Sequence, residues 1–90
     1  MVVIEYDKNF KKHFRLRIFP NRNLYKKFAE RLSLFVKDRS NPILRDHKLT
    51  GSLKGSRAFS VTGNYRVTYI EVKNGHYIFI DIGTHPQIYE

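Results

Sequence analysis

The sequence predicts a small α+β domain in which an N-terminal strand and a helical hairpin precede a three-stranded antiparallel meander, all forming one curved sheet. Three observations lead there. Apolar residues recur at helical spacing from Phe10 to Val36 and not beyond, the last third of the chain alternates β-branched and aromatic residues with polar ones, and Asn74-Gly75 marks a hairpin turn. The 90 residues make one unit, 1–90, since domains usually run to about 100–150 residues.

Val2-Val3-Ile4-Glu5-Tyr6 opens the chain as a short β-rich strand. Asp7 then suits a helix N-cap, its carboxylate accepting from the free N–H groups of the first turn. Phe10, Phe14 and Ile18 recur every four residues on one face until Pro20 stops the pattern. Asn21 or Asn23 caps a second helix, whose stripe of Leu24, Phe28, Leu32, Phe35 and Val36 ends at Asn41-Pro42. The two stripes face each other or a sheet, and the Lys and Arg side chains fall mainly outside them. Between Arg39 and Ser56 the periodicity is lost, and the segment reads as an ordered loop long enough to be a working part. Strands follow at about 57–61, 65–72 and 76–83, joined by Thr62-Gly63-Asn64 and Asn74-Gly75. Asn-Gly predicts a type I′ turn, whose two central residues both need positive φ.

The absence of cysteine excludes a disulfide framework and a thiolate metal site, and the apolar runs are too short to span a bilayer. Lys8, Lys11 and Lys12 come before any long apolar stretch, which is not the pattern of a secretion signal, so a reducing, cytoplasmic setting is expected. Neither a cofactor nor a metal is expected, since no pair of His or carboxylates has ligand-like local spacing. The formal net charge is +9, and its placement is uneven. Residues 1–45 carry 12 basic and 4 acidic groups, whereas residues 46–90 carry 5 and 4. From Lys8 to Arg31 nine basic residues meet a single acid, Glu30, a density that attracts phosphate backbones. A solvated basic surface without a partner is the plainer alternative.

A two-residue turn at Asn74-Gly75 sets Lys73 opposite His76, Ile70 opposite Phe79, Thr68 opposite Asp81 and Arg66 opposite Gly83. Parity then gives Tyr65, Val67, Tyr69, Ile78, Ile80 and Ile82 to the face that seats the helices. Arg66, Thr68, Ile70, Val72, Tyr77, Phe79 and Asp81 go to the other, with His85 beyond them. A three-residue loop opposing Val61 to Tyr65 adds Phe59 and Val61 to the apolar face and sets Ser60 beside Arg66. Arg66 is thus central on the second face, Asp81 and His85 lie on its diagonals, and the loop bearing His47 must reach the same sheet. Two histidines can take and give protons near neutral pH while an arginine holds a phosphate oxygen, a set suited to cleaving RNA through its own 2′-hydroxyl without a metal. Plainer readings stand beside this one. Arg66 pairs across the strands with Asp81, His85 caps or packs at a strand end, and Tyr89 packs the tail instead of stacking on a base. His13 and His76 read as solvated surface residues.

The order of elements, together with Asp46-His47-Lys48-Leu49-Thr50-Gly51, then Arg57, then Asn64-Tyr65-Arg66-Val67-Thr68-Tyr69 and Ile82-Gly83-Thr84-His85, resembles the YafQ branch of the RelE/ParE toxin superfamily. These are toxin halves of type II toxin–antitoxin modules. The resemblance implies a metal-independent endoribonuclease, an mRNA interferase that cleaves ribosome-bound messenger RNA. Its implied partners are a cognate antitoxin, mRNA and ribosomal RNA, with no membrane. It assigns acid–base work to His47 and His85 and phosphate stabilisation to Arg66, and sets Tyr89 near the family's C-terminal aromatic at a different spacing. Lys48, Lys54, Arg57, Ser60, Asn64 and Tyr89 would contact RNA around these, and Lys11, Lys12 and Arg15 would track it from the first helix. The branch carries a further histidine where this chain has Ser60 and an aspartate where it has Asn64. Serine cannot shuttle protons near neutral pH and asparagine is no carboxylate, so the implied enzyme is weakened. Two alternatives are a ParE-like gyrase-inhibiting toxin and a non-catalytic basic RNA-binding domain that stacks bases on exposed Tyr77 and Phe79.

Overall fold

The computed structural model describes residues 1–89. Strand β1 (Val3–Tyr6) leads through Asp7 into helix α1 (Lys8–His13), which continues as a π-helical turn over Phe14–Ile18. The Asp7 side chain makes no capping bond; the residue is tied down by its N–H, which donates to Phe79 O at 2.9 Å. Helix α2 (Arg22–Lys37) follows, and the cap is Asn21, whose side chain accepts from the Leu24 N–H at 3.1 Å.

The segment read as a loop contains a 3₁₀ turn (Pro42–Leu44), a two-residue strand β2 (His47–Lys48) and a second 3₁₀ turn (Gly51–Leu53). Strands β3 (Arg57–Ser60), β4 (Tyr65–Lys73) and β5 (His76–Thr84) form the meander, and helix α3 (His85–Tyr89) closes the described chain. The sheet therefore has five strands instead of the expected four, in the order β1-β5-β4-β3-β2. β1 runs parallel to β5, and the other pairs are antiparallel. Two residues are too few to show alternation, which is why β2 is silent in the sequence.

The meander register departs from simple alternation in one place that matters. Lys73, Thr68 and Arg66 face His76, Asp81 and Gly83 as expected, but Ile70 faces Ile78, not Phe79. Ile80 is an extra residue in β5 between the Thr68 and Tyr69 pairs, and Val72 is an extra residue in β4, so two bulges offset one another. The first inverts the parity of β5. Tyr77 and Phe79, expected on the open face, turn into the core with Val67 and Tyr69, while Ile78 moves to the opposite face. At the hairpin tip only Gly75 takes positive φ (83°), so the turn is not the type I′ form, and the unpaired Val72 forms a bulge beside it.

Both helices pack on one face of the sheet. Phe35 is the hub, its ring 4.9 Å from that of Phe59, 5.0 Å from Tyr69 and Tyr77, and 5.4 Å from Phe79. Phe10 extends this cluster under α1, 5.6 Å from Phe79 and 6.1 Å from Phe28. Tilted and edge-to-face rings at these separations add about 0.5–1.5 kcal/mol per pair to the burial itself. Among the described residues no helix is long and apolar enough to cross a membrane.

Phe79→Ala should destabilise the fold by about 3–5 kcal/mol, whereas Val72→Ala, at a half-exposed bulge position, should stay within about 0.5 kcal/mol. Urea unfolding of the two variants measures both, and equal losses would overturn the bulged register.

Candidate functional site

On the face away from the helices, Ser60, Arg66 and Gly83 lie in one row across β3, β4 and β5, and His47, Ala58, Thr68 and Asp81 form the adjacent row. Arg66 is the centre of this surface. Its Nε is buried and has no hydrogen-bond partner among the described residues. A charged donor out of water costs free energy until something accepts from it, and an anion is the complementary partner. The pairing of Arg66 with Asp81 does not occur. Asp81 Oδ1 instead lies 2.6 Å from His13 Nδ1, accepts from the Ile82 N–H at 2.8 Å and has Arg17 Nη1 at 3.8 Å. His13 is thus a part-buried partner of the sheet and not a solvated residue. His76 likewise pairs with Glu5.

His47 is exposed on β2, two strands from Arg66 and two residue pairs along, which is roughly 12 Å between Cα atoms at ordinary strand spacing. Its Nδ1 lies 2.8 Å from Arg45 O. A carbonyl only accepts, so Nδ1 carries the proton, and in the neutral ring Nε2 keeps its lone pair. Arg45 itself sits in the left-handed region at φ 51°, which for a non-glycine residue costs on the order of 1 kcal/mol. The chain before His47 is held by Asp46, whose carboxylate takes the Arg57 Nε–H at 2.6 Å and the Tyr69 hydroxyl. Arg39 Nη1 donates to the same phenol oxygen and to Glu71, each at 3.3 Å. Burial, and then the Asp46 carboxylate, push the Tyr69 phenol well above its ordinary pKa, with Arg39 pulling it partly back. Because neighbouring strand residues alternate, fixing Asp46 beneath β3 and β4 on the helix side turns His47 to the open face.

His85 is exposed at the start of α3, and its ring packs at a tilt against Tyr89, the centroids 4.3 Å apart. It follows Gly83 by two residues, so it and His47 lie on opposite sides of Arg66. The remaining expected contact residues divide into three groups. Ser60 is directly beside Arg66, and Asn64 is exposed in the adjoining turn, where its N–H donates to Thr62 Oγ1 at 3.2 Å. Arg57 is on the helix side with Asp46, and Lys48 shares that side by alternation; Lys48, Lys54, Arg57 and Glu71 line an open cavity of about 700 Å³. Lys11, Lys12 and Arg15 are exposed in the helical layer. Among the described residues no group of three or more His, Asp or Glu is placed to hold a metal ion.

YafQ from E. coli strain BL21(DE3) superimposes on the chain with a TM-score of 0.82, covering 100% of both chains at 22% identity. The fold is that of the YafQ toxins. YafQ in the E. coli DinJ-YafQ complex matches with a TM-score of 0.80 at 23% identity over 100% of both chains, and a metal-bound toxin from Helicobacter pylori with 0.79 at 22% over 98% of this chain and 99% of that one. No family model matches the sequence, and no curated protein matches it. Sequence reasoning missed His13 and Arg17 as neighbours of the site, because only the closure of β1 onto β5 carries α1 to the sheet edge, and no local pattern encodes it.

The raised phenol has a consequence for stability. Its contribution is complete below the ordinary phenol pKa of about 10 and is lost as pH climbs beyond it, since unfolding then releases a proton. Denaturation of the wild type above that pH should show a decline that Tyr69→Phe flattens, and an unchanged decline would mean that Tyr69 is not the group responsible.

Proposed function

We propose that the chain is the toxin of a toxin–antitoxin pair and that it cleaves ribosome-bound messenger RNA as a metal-independent endoribonuclease. The observation that carries this reading is the buried, unpartnered Nε of Arg66, in the middle of a face with an imidazole on either side. In-line attack puts the entering and leaving oxygens on opposite sides of phosphorus, which calls for a base and an acid on opposite flanks. His47 Nε2 takes the proton of the 2′-hydroxyl as its oxygen bonds to phosphorus. The bond from phosphorus to the 5′-oxygen breaks, and protonated His85 gives its proton to that oxygen. A 2′,3′-cyclic phosphate and a 5′-hydroxyl result. Arg66 faces the non-bridging oxygens, where negative charge grows in the transition state.

The basic helical layer, with Lys11, Lys12 and Arg15, supplies the salt-sensitive attraction to ribosomal RNA. A cognate antitoxin, as DinJ is for YafQ in the solved complex, covers the toxin until released. An RNA-binding domain that stacks bases on Tyr77 and Phe79 is disfavoured, because both rings are buried.

His47→Ala and His85→Ala should each lower cleavage of ribosome-bound mRNA by about 10²-fold; wild-type rates in both variants would sink the assignment. Ser60 stands next to Arg66 where a proton-carrying group belongs, so Ser60→His should raise the cleavage rate by about tenfold or more, as read by primer extension on the same mRNA. DNA supercoiling by gyrase should be unaffected by the wild-type chain.

A further inference from the structure

The π-helical turn after α1 brings Arg17 to the edge of β5 beyond the point where β1 ends. Arg17 Nη1 donates to Ile82 O at 3.0 Å and stands 3.8 Å from Asp81 Oδ1. The guanidinium lies over Gly83, where a Cβ would come 2.6 Å from Arg17 Nη1 and 2.8 Å from Gln87 Oε1. Gln87 is held in turn, its Oε1 accepting from the Thr84 N–H at 2.8 Å. Any side chain at position 83 would displace both. Gly83 faces Arg66 directly across β4 and β5, and paired residues point to the same side of a sheet. The missing Cβ is therefore on the open face, and so is the guanidinium that fills its place.

We propose that Arg17 is a second phosphate-binding residue of this site, holding the RNA backbone phosphate next to the one that Arg66 faces. This rests on the reading of the open face as an RNA site. The argument is one of charge and of spare donors. Two guanidinium groups, one carried by β4 and one reaching over β5 from the π-helical turn, repel unless anions lie between or beside them, and Asp81, shared with His13, is the only carboxylate near Arg17 among the described residues. Nε and Nη2 of Arg17 have no hydrogen-bond partner among the described residues, so the planar fork that suits a phosphate is still available after Nη1 has fixed the group to the strand. Successive phosphates of an extended strand match two cations set side by side.

The test uses a hexanucleotide of 2′-O-methyl RNA, which has no free nucleophile and cannot be cut, and follows its affinity for the full chain by fluorescence anisotropy over a range of salt concentrations. Arg17→Gln should weaken binding about tenfold at low salt and lower the slope of log affinity against log salt by about 0.7, the value for one contact to single-stranded phosphate. Arg17→Lys should keep the slope. Gly83→Ala leaves the formal charge unchanged but displaces the guanidinium, and should lower the slope as Arg17→Gln does; it decides the matter if Arg17→Gln does not fold. An unchanged slope, even with a lower melting temperature, overturns the inference and leaves Arg17 as a staple of the sheet edge; so does failure of the wild type to bind the hexanucleotide. A reduced slope here together with undiminished mRNA cleavage by His47→Ala and His85→Ala would remove the nuclease mechanism and leave the phosphate site standing.

Discussion

Between the Thr68 and Tyr69 pairs, β5 holds one residue more than β4 can match, and that residue, Ile80, decides which side chains of the last strand meet the helices. Without it Phe79, Asp81 and Gly83 would share one face. With it, Tyr77 and Phe79 close the aromatic cluster around Phe35, while two residues further on the same strand presents Asp81 and Gly83 beside Arg66. Bulges are common beside functional sites because they re-aim side chains at little cost to the ladder. Here a single strand serves as core at one end and as working surface at the other. The dry side and the charged side are thereby kept in one rigid element.

Much of this was legible in the residues. The helical stripes of Phe10, Phe28 and Phe35, the hairpin at Asn74-Gly75 and the Ser60, Arg66 and Gly83 row follow from periodicity and turn length. What failed to show has physical reasons. A bulge changes parity without any signature in composition, so plain alternation places Tyr77 and Phe79 on the wrong face. The pairing of β1 with β5 joins residues at opposite ends of the chain, and with it come the contacts of His13 and Arg17. Asp46 reads as one more loop acid, yet it is nearly buried between Arg57 and Tyr69 and sets the aim of His47.

The charge of the molecule and its candidate chemistry occupy different places. Lysines and arginines crowd the helical hairpin, where most of them are solvated, whereas the charges that touch the sheet, on either side of it, are few and mostly held in a definite relation to their neighbours. Arg57 is matched by Asp46, Arg39 by Glu71, and His13 by Asp81. Arg66 is the exception, and an arginine whose Nε is buried without an acceptor is the more informative for standing among matched ones. The bulk of the charge thus sits on the helical layer, and only His13 and Arg17 carry that layer to the edge of the open face.

The parallel pairing of Val3–Tyr6 with His76–Phe79 also bears on how the chain is made. During synthesis the first strand leaves the ribosome with its partner still uncoded, and the helical hairpin can form only as a local, half-covered unit. The sheet cannot be completed until β5 has emerged and pairs with β1. The open face depends on that step, since α1 meets β5 through His13 and Asp81. A chain without β5 therefore cannot form the open face, which is among the last parts of the described fold to assemble.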